Sequence, residues 1–217
     1  VTRLFKGEMK LMSFTFIIGA LVAYLLGSIP SGLWIGQYFF QKDIRQFGSG
    51  NLGSTNAFRV LGTKAGSIVL FCDVFKGFLA MILAMTVFKQ ESLSPLWIAS
   101  FAVIGHTFPL FASFKGGKAV ATFAGMILAY QPLLLLYGLI IFLALLAITR
   151  MVSLTAMVTI TAGVLLSLLF NDWTLTAFAL AIDIFIIYRH RSNIQRILNG
   201  TENKVPMPWD KQNKDTK

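Results

Sequence analysis

The chain has 217 residues, 56% of them hydrophobic and only 13% charged, with a net charge of +10 and a mean hydropathy of +0.71. A soluble domain of this size carries about a quarter charged residues, so one small core cannot enclose this much apolar surface, and a water-soluble globule is excluded. The basic residues fall between apolar runs, which argues against nucleic-acid binding and for a membrane face that meets anionic lipids or substrates.

Residues 1–12 carry Arg3, Lys6 and Lys10 and are expected to form a disordered N-terminal extension, with Met9 and Met12 as alternative starts. The apolar run from Leu11 to Phe40 has no small-residue cleavage site, so it is read as a retained span and not as a signal peptide. A crossing helix needs about 20 apolar residues. Seven segments qualify: 13–40, 64–88, 95–113, 117–131, 133–149, 151–170 and 173–190. Tyr130-Gln131-Pro132, Arg150 and Asn171-Asp172 divide the long block 119–170, because proline opens a helix but sits badly inside one. The fold expected is an all-α polytopic membrane bundle of about seven spans. It forms one domain over 13–204, followed by a polar, disordered tail at 205–217. Ser28, Gly32 and Gly36 recur every four residues, a spacing that lets helix backbones approach. Cys72, the one cysteine, lies in an apolar run and reads as a packing residue.

Lysine and arginine set the orientation. Lys42, Arg45, Arg59 and Lys64, then Lys115 and Lys118, then Arg150, then the tail from Arg189 onward all fall on one face. Lys89 and the three N-terminal cations fall on the other. The N-terminus is therefore expected outside and the C-terminus in the cytoplasm.

Three polar islands interrupt the apolar pattern, all on the basic face. The first, RQFGSGNLGSTNAFR at 45–59, has glycines at 48, 50 and 53 among Ser49, Asn51, Ser54, Thr55 and Asn56, flanked by Arg45 and Arg59. Glycine lets backbone N–H groups turn toward an anion, and arginine offers a fixed, forked donor. The second, GHTFPLFASFKGGKAVAT at 105–122, puts Gly116, Gly117 and Lys118 before an apolar helix, whose N-terminus favours phosphate. It lacks the glycine spacing of a nucleotide-binding P-loop. Lys115 and Lys118 also suit simple snorkelling to the interface. The third, YRHRSNIQRILNGTENK at 188–204, places His190 and Asn193 three apart, with Glu202 tucked among bases after Gly200. Its cations also suit headgroup anchoring. Within the spans, Asp73 and Lys76 can pair on one helix face, and Asp183 needs a partner such as His106 or Lys76.

The segments GSGNLGSTNAFR, GHTFPLFASFKGGKAVAT and HRSNIQRILNGTE together resemble the signature motifs of the bacterial integral-membrane glycerol-3-phosphate acyltransferases that use acyl-phosphate. The resemblance covers about residues 13–204. It implies seven spans in the cell membrane, an outside N-terminus and an active site at the cytoplasmic face. The implied reaction moves a fatty acyl group from acyl-phosphate to the 1-hydroxyl of glycerol 3-phosphate, giving lysophosphatidic acid and phosphate for phospholipid synthesis. The resemblance gives Ser49, Thr55, Asn56 and Arg59 phosphate-binding and positioning roles. It also implies that Gly116, Gly117 and Lys118 form a glycerol-phosphate or phosphate loop, that His190 and Asn193 complete the pocket, and that Glu202 is structural. Ala119 departs from the family pattern, which often has glycine there, and implies a slightly different loop shape; Lys118 and Thr122 remain. Inner-leaflet lipid and the enzyme that supplies acyl-phosphate are the further partners expected.

Acyl-phosphate is already activated, so proximity and charge stabilisation suffice. Direct attack by the glycerol hydroxyl is preferred, with Ser49 as orienting donor and Arg59 and Lys118 neutralising the departing phosphate; a covalent role for Ser49 stays open. An anion transporter is the rival reading, but it should show inverted repeats and mid-membrane binding groups, and no repeat is visible. His106 and His190 lie far apart without a carboxylate-rich setting, so neither metal nor cofactor is expected.

Overall fold

Proline sets the first break. Pro30 separates α1 (Thr2–Gly27) from α2 (Ser31–Phe40), because a proline disfavours helical backbone at the preceding residue. The two pieces still make one apolar stretch from Phe14 to Phe40. The fold comes from a computed structural model that describes residues 2–90 and 93–206, with side chains from residue 14 onward. α1 is helical from Thr2, so the stretch read as an extension continues the first helix. Of the tail at 205–217, the part from 207 lies outside the described residues. The regular elements among the described residues are helices, apart from one isolated bridge between Gln90 and Leu93.

The chain divides into two compact units that part at Pro132. In the first, α3 (Ser54–Leu61), α4 (Thr63–Thr86), α5 (Pro95–Thr107) and α6 (Val120–Tyr130) follow α2. α4 is the centre and packs against α1, α2, α3, α5 and α6. Its buried residues, Ala65, Val69, Asp73, Lys76, Ala80 and Ala84 among them, recur every three or four positions, as one face of a helix requires. Ile68, Phe71 and Phe75 on its other side are exposed, which suits lipid and not water. Side-chain-free contacts bring the helices close. A β-carbon on Gly77 would strike the carbonyl of Thr122, and one on Gly125 that of Val74, so α6 lies directly on α4. Gly27 and Gly105 bring α1 and α5 together in the same way.

The second unit contains α7 (Pro132–Thr149), α8 (Val152–Ser167), α9 (Trp173–Arg189) and α10 (Arg191–Leu198). Pro132, Arg150 and Asn171-Asp172 sit at helix boundaries as expected. Arg150 and Asn171 take left-handed φ values of 61° and 53°, and the Asp172 carboxylate caps α9 by accepting the Leu175 N–H at 2.9 Å. α9 and α10 meet at a 60° bend.

Every segment read as a span forms helix, and the bundle is all-α as expected. Among the described residues five helices are long and apolar enough to cross, or six counting the bent α9–α10 pair. α6 has 11 residues and rises only about 16 Å, against a hydrocarbon core of about 30 Å. Asp183 departs from expectation. Its carboxylate accepts from the Thr161 hydroxyl on α8 at 3.1 and 3.2 Å, whereas Lys76 and His106 face Asp73.

Candidate active site

The first motif is a loop stapled from within. A 3-10 turn at Ile44–Gln46 follows α2, capped by Asp43, which accepts the Arg45 N–H at 3.0 Å. The Arg45 guanidinium returns to the same carboxylate, with Nε 2.9 Å from Oδ1 and Nη2 2.6 Å from Oδ2. That hydrogen bonding outweighs partial burial and holds the Asp43 carboxyl below its usual range. Gly48 and Gly50 turn the chain at φ 62° and 69°, backbone that only glycine adopts without strain.

Asn56, 1% exposed, closes the loop. Its Nδ2 donates to the carbonyls of Ile44, Phe47 and Asn51 at 2.9, 3.1 and 2.9 Å. Its Oδ1 accepts the Ser49 N–H at 2.9 Å. The amide expected to touch substrate is thus engaged by backbone and holds the loop's shape. Ser49, Thr55 and Arg59 remain on the exposed surface. Among the described residues no hydrogen bond or ion pair engages the Arg59 side chain. Asp43, absent from the sequence-based site, carried a signal: it is the acid two residues before Arg45 in an acid-poor loop.

The second motif rests on the end of α5. The Gly116 N–H donates to the Thr107 carbonyl at 3.1 Å and the Gly117 N–H to the His106 carbonyl at 3.0 Å. A β-carbon on Gly117 would collide with His106 Nε2, so the loop lies on the imidazole. Lys118 is half-buried, and Ala119 starts α6 at φ 60° and ψ 10°, the shape a glycine would hold freely. Both motifs share an apolar floor in which Ala112 of the second packs with Leu33, Ile44, Leu52 and Ala57 beneath the first. A cleft of about 350 Å³ lined by Phe16, Leu93, Trp97, Ser100 and Phe101 contains none of these residues.

In the second unit, His190 stands at the α9–α10 hinge, 3% exposed, with Nδ1 2.8 Å from the Ile186 carbonyl. Asn193 donates to Glu202 Oε1 at 2.7 Å, Ser153 to the same oxygen at 2.6 Å, and Arg196 to Oε2 at 2.7 Å. Burial raises the Glu202 carboxyl, but these three donors together outweigh it and hold the group below its usual range. Gly200 makes the turn at φ 70°. Glu202 therefore ties the tail to α8 and α10. Among the described residues no cluster of three His, Cys, Asp or Glu side chains could hold a metal.

Exposed glycine-turned backbone with fixed cations suits phosphate-bearing ligands. Residues 17–200 match the family model described as Glycerol-3-phosphate acyltransferase. The glycerol-3-phosphate acyltransferase of Listeria welshimeri is 54% identical over 89% of this chain and 98% of its own length. That of Enterococcus faecalis is 54% identical over 87% and 91%. The fold matches the crystal structure of PlsY (YgiH), an integral membrane glycerol 3-phosphate acyltransferase, in its glycerol 3-phosphate form. The TM-score is 0.83 at 36% identity, over 88% of this chain and 96% of that one. A lysophosphatidic acid form of PlsY matches at 0.80 and 35%. The chain belongs to the glycerol-3-phosphate acyltransferase family and is a multi-pass membrane acyltransferase.

Proposed function

We propose that this chain transfers a fatty acyl group from acyl-phosphate to the 1-hydroxyl of glycerol 3-phosphate at the cytoplasmic face of a bacterial cell membrane. The hydroxyl oxygen attacks the acyl carbonyl carbon, the acyl carbon–oxygen bond to phosphate breaks, and the hydroxyl proton leaves with the phosphate. The products are lysophosphatidic acid and inorganic phosphate. Ser49 orients the attacking hydroxyl, and Arg59 and Lys118 neutralise the departing phosphate. Arg45, Thr55, Gly116 and Gly117 frame the anion sites. Asn56 acts one step back, by holding the loop that presents Ser49.

The observation that carries this reading is Arg59, an exposed guanidinium without a counter-charge among the described residues, on α3 directly after a loop whose shape is fixed from inside. A forked cation so presented favours phosphate oxygens. The relatives' names supply the glycerol 3-phosphate half. An already activated donor fits a site offering donors and cations but no nucleophile–base pair. Purified protein in detergent, given acyl-phosphate and glycerol 3-phosphate, should release phosphate only when both are present. Release with either alone, or none at all, would overturn the assignment. Activity without a sealed vesicle also separates acyl transfer from transport.

A further inference from the structure

We infer that Asp73, Lys76 and His106 form a buried positioning cluster that sets the second motif loop against the first. The inference rests on the reaction proposed above only for its kinetic consequence. Asp73 Oδ1 is the hub. It accepts from the Ser31 hydroxyl at 2.9 Å, pairs with Lys76 Nζ at 2.9 Å and faces His106 Nδ1 at 3.6 Å. Lys76 Nζ also donates to the Ile29 carbonyl at 3.0 Å, beside the Pro30 break. Exposure of these four side-chain-bearing residues runs from 2% to 7%, and they join α2, α4 and α5.

An ion pair buried this deeply is weak evidence for stability, because desolvation opposes the Coulomb gain. Its geometry points instead to placement. His106 faces Asp73 across 3.6 Å on one side and lies on the other beneath Gly117, whose N–H and that of Gly116 bond the end of α5. Lys118 follows directly, so the ring's position sets the height of the lysine. On the opposite side, Ser31 is bonded to the hub, and its neighbour Gly32 packs against the Leu52 carbonyl of the first motif. One cluster therefore fixes both motif loops. A 1 Å misplacement of a reacting group can cost about 100-fold in rate. Asp73, Lys76 and His106 thus act through other residues and do not touch substrate.

The test uses the purified full chain and two independent readouts. Hydrogen exchange over residues 115–119, without substrate, should speed up at Gly116 and Gly117 in Asp73→Asn and in the milder Ser31→Ala. Unchanged exchange in both would overturn the inference whatever the enzyme's activity. Kinetically, Gly117→Ala should lower kcat at least about tenfold, with a smaller effect on KM. Adding His106→Ala should recover part of that loss, because removing the ring makes room for the methyl, the non-additivity expected of contacting residues. Losses that simply multiply in the double variant would overturn it. A wild-type chain that releases no phosphate, with the exchange result as expected, would count against the reaction and not against the cluster.

Discussion

Arg45 and Asp43 form a two-pronged ion pair inside the first motif, with Nη2 2.6 Å from Oδ2 and Nε 2.9 Å from Oδ1. The two arginines that flank this motif are therefore not equivalent. The charge of Arg45 is already matched, whereas that of Arg59 faces outward without a counter-charge among the described residues. Arg59→Ala should lower kcat/KM at least about 100-fold, the scale of losing one preorganised transition-state donor. Arg45→Ala should cost less than about tenfold, since a half-exposed ion pair contributes about 0–1 kcal/mol. Phosphate-release kinetics on both variants check the ranking, and equal losses would remove the distinction.

Asn56 should behave as a folding residue of the loop. Asn56→Ala removes three bonds donated to carbonyls and the acceptor of the Ser49 N–H, and each lost bond of this kind costs about 1 kcal/mol. Destabilisation of about 2–4 kcal/mol follows. Asn56→Asp should be worse despite its similar shape, because a second carboxylate oxygen would face those carbonyls. Thermal unfolding in detergent reads the order, and a harmless aspartate would contradict the staple.

Glu202 predicts a pH signature. Its carboxyl is held below the usual range in the folded chain, so its contribution is fully present above the unfolded value of about 4.3. It is lost as pH falls through the lower folded value. The thermal midpoint of the wild type should exceed that of Glu202→Gln by a constant margin from about pH 8 to 5, narrowing below about 4. A margin that widens on acidification would mean the three donors do not favour the charged form.

Much of this architecture was readable from residue order. Proline and polar pairs mark the ends of α7, α8 and α9 because they act locally on backbone, and the three-residue spacing of Asp73 and Lys76 places them on one face wherever the helix lies. Pairings between helices were not readable. Asp183 takes Thr161, and the sequence cannot say which neighbour's face a membrane helix presents when all faces are apolar. The Asn56 staple reaches backbone up to twelve residues away, and backbone carbonyls carry no sequence signal at all. α6 starts at Val120 and not at Gly117, because the left-handed backbone at Ala119 precedes the helix.

Ala119 itself gives the sharpest test of the second motif. Its φ of 60° and ψ of 10° cost an L-residue about 1–2 kcal/mol, and glycine would be relieved of that strain. Glycine would also give up a buried methyl, about 0.8 kcal/mol, and would gain freedom in the unfolded chain worth about 0.4–1 kcal/mol. These terms nearly cancel, so Ala119→Gly should leave stability within about 1 kcal/mol and keep turnover. Valine has no such balance. A β-branched side chain is a genuine outlier at positive φ, and the site is 1% exposed, leaving no space for two more carbons. Ala119→Val should cost more than about 3 kcal/mol by adding overpacking to strain and should abolish phosphate release by displacing Lys118. A valine variant with normal turnover would show that the loop does not need left-handed backbone before α6.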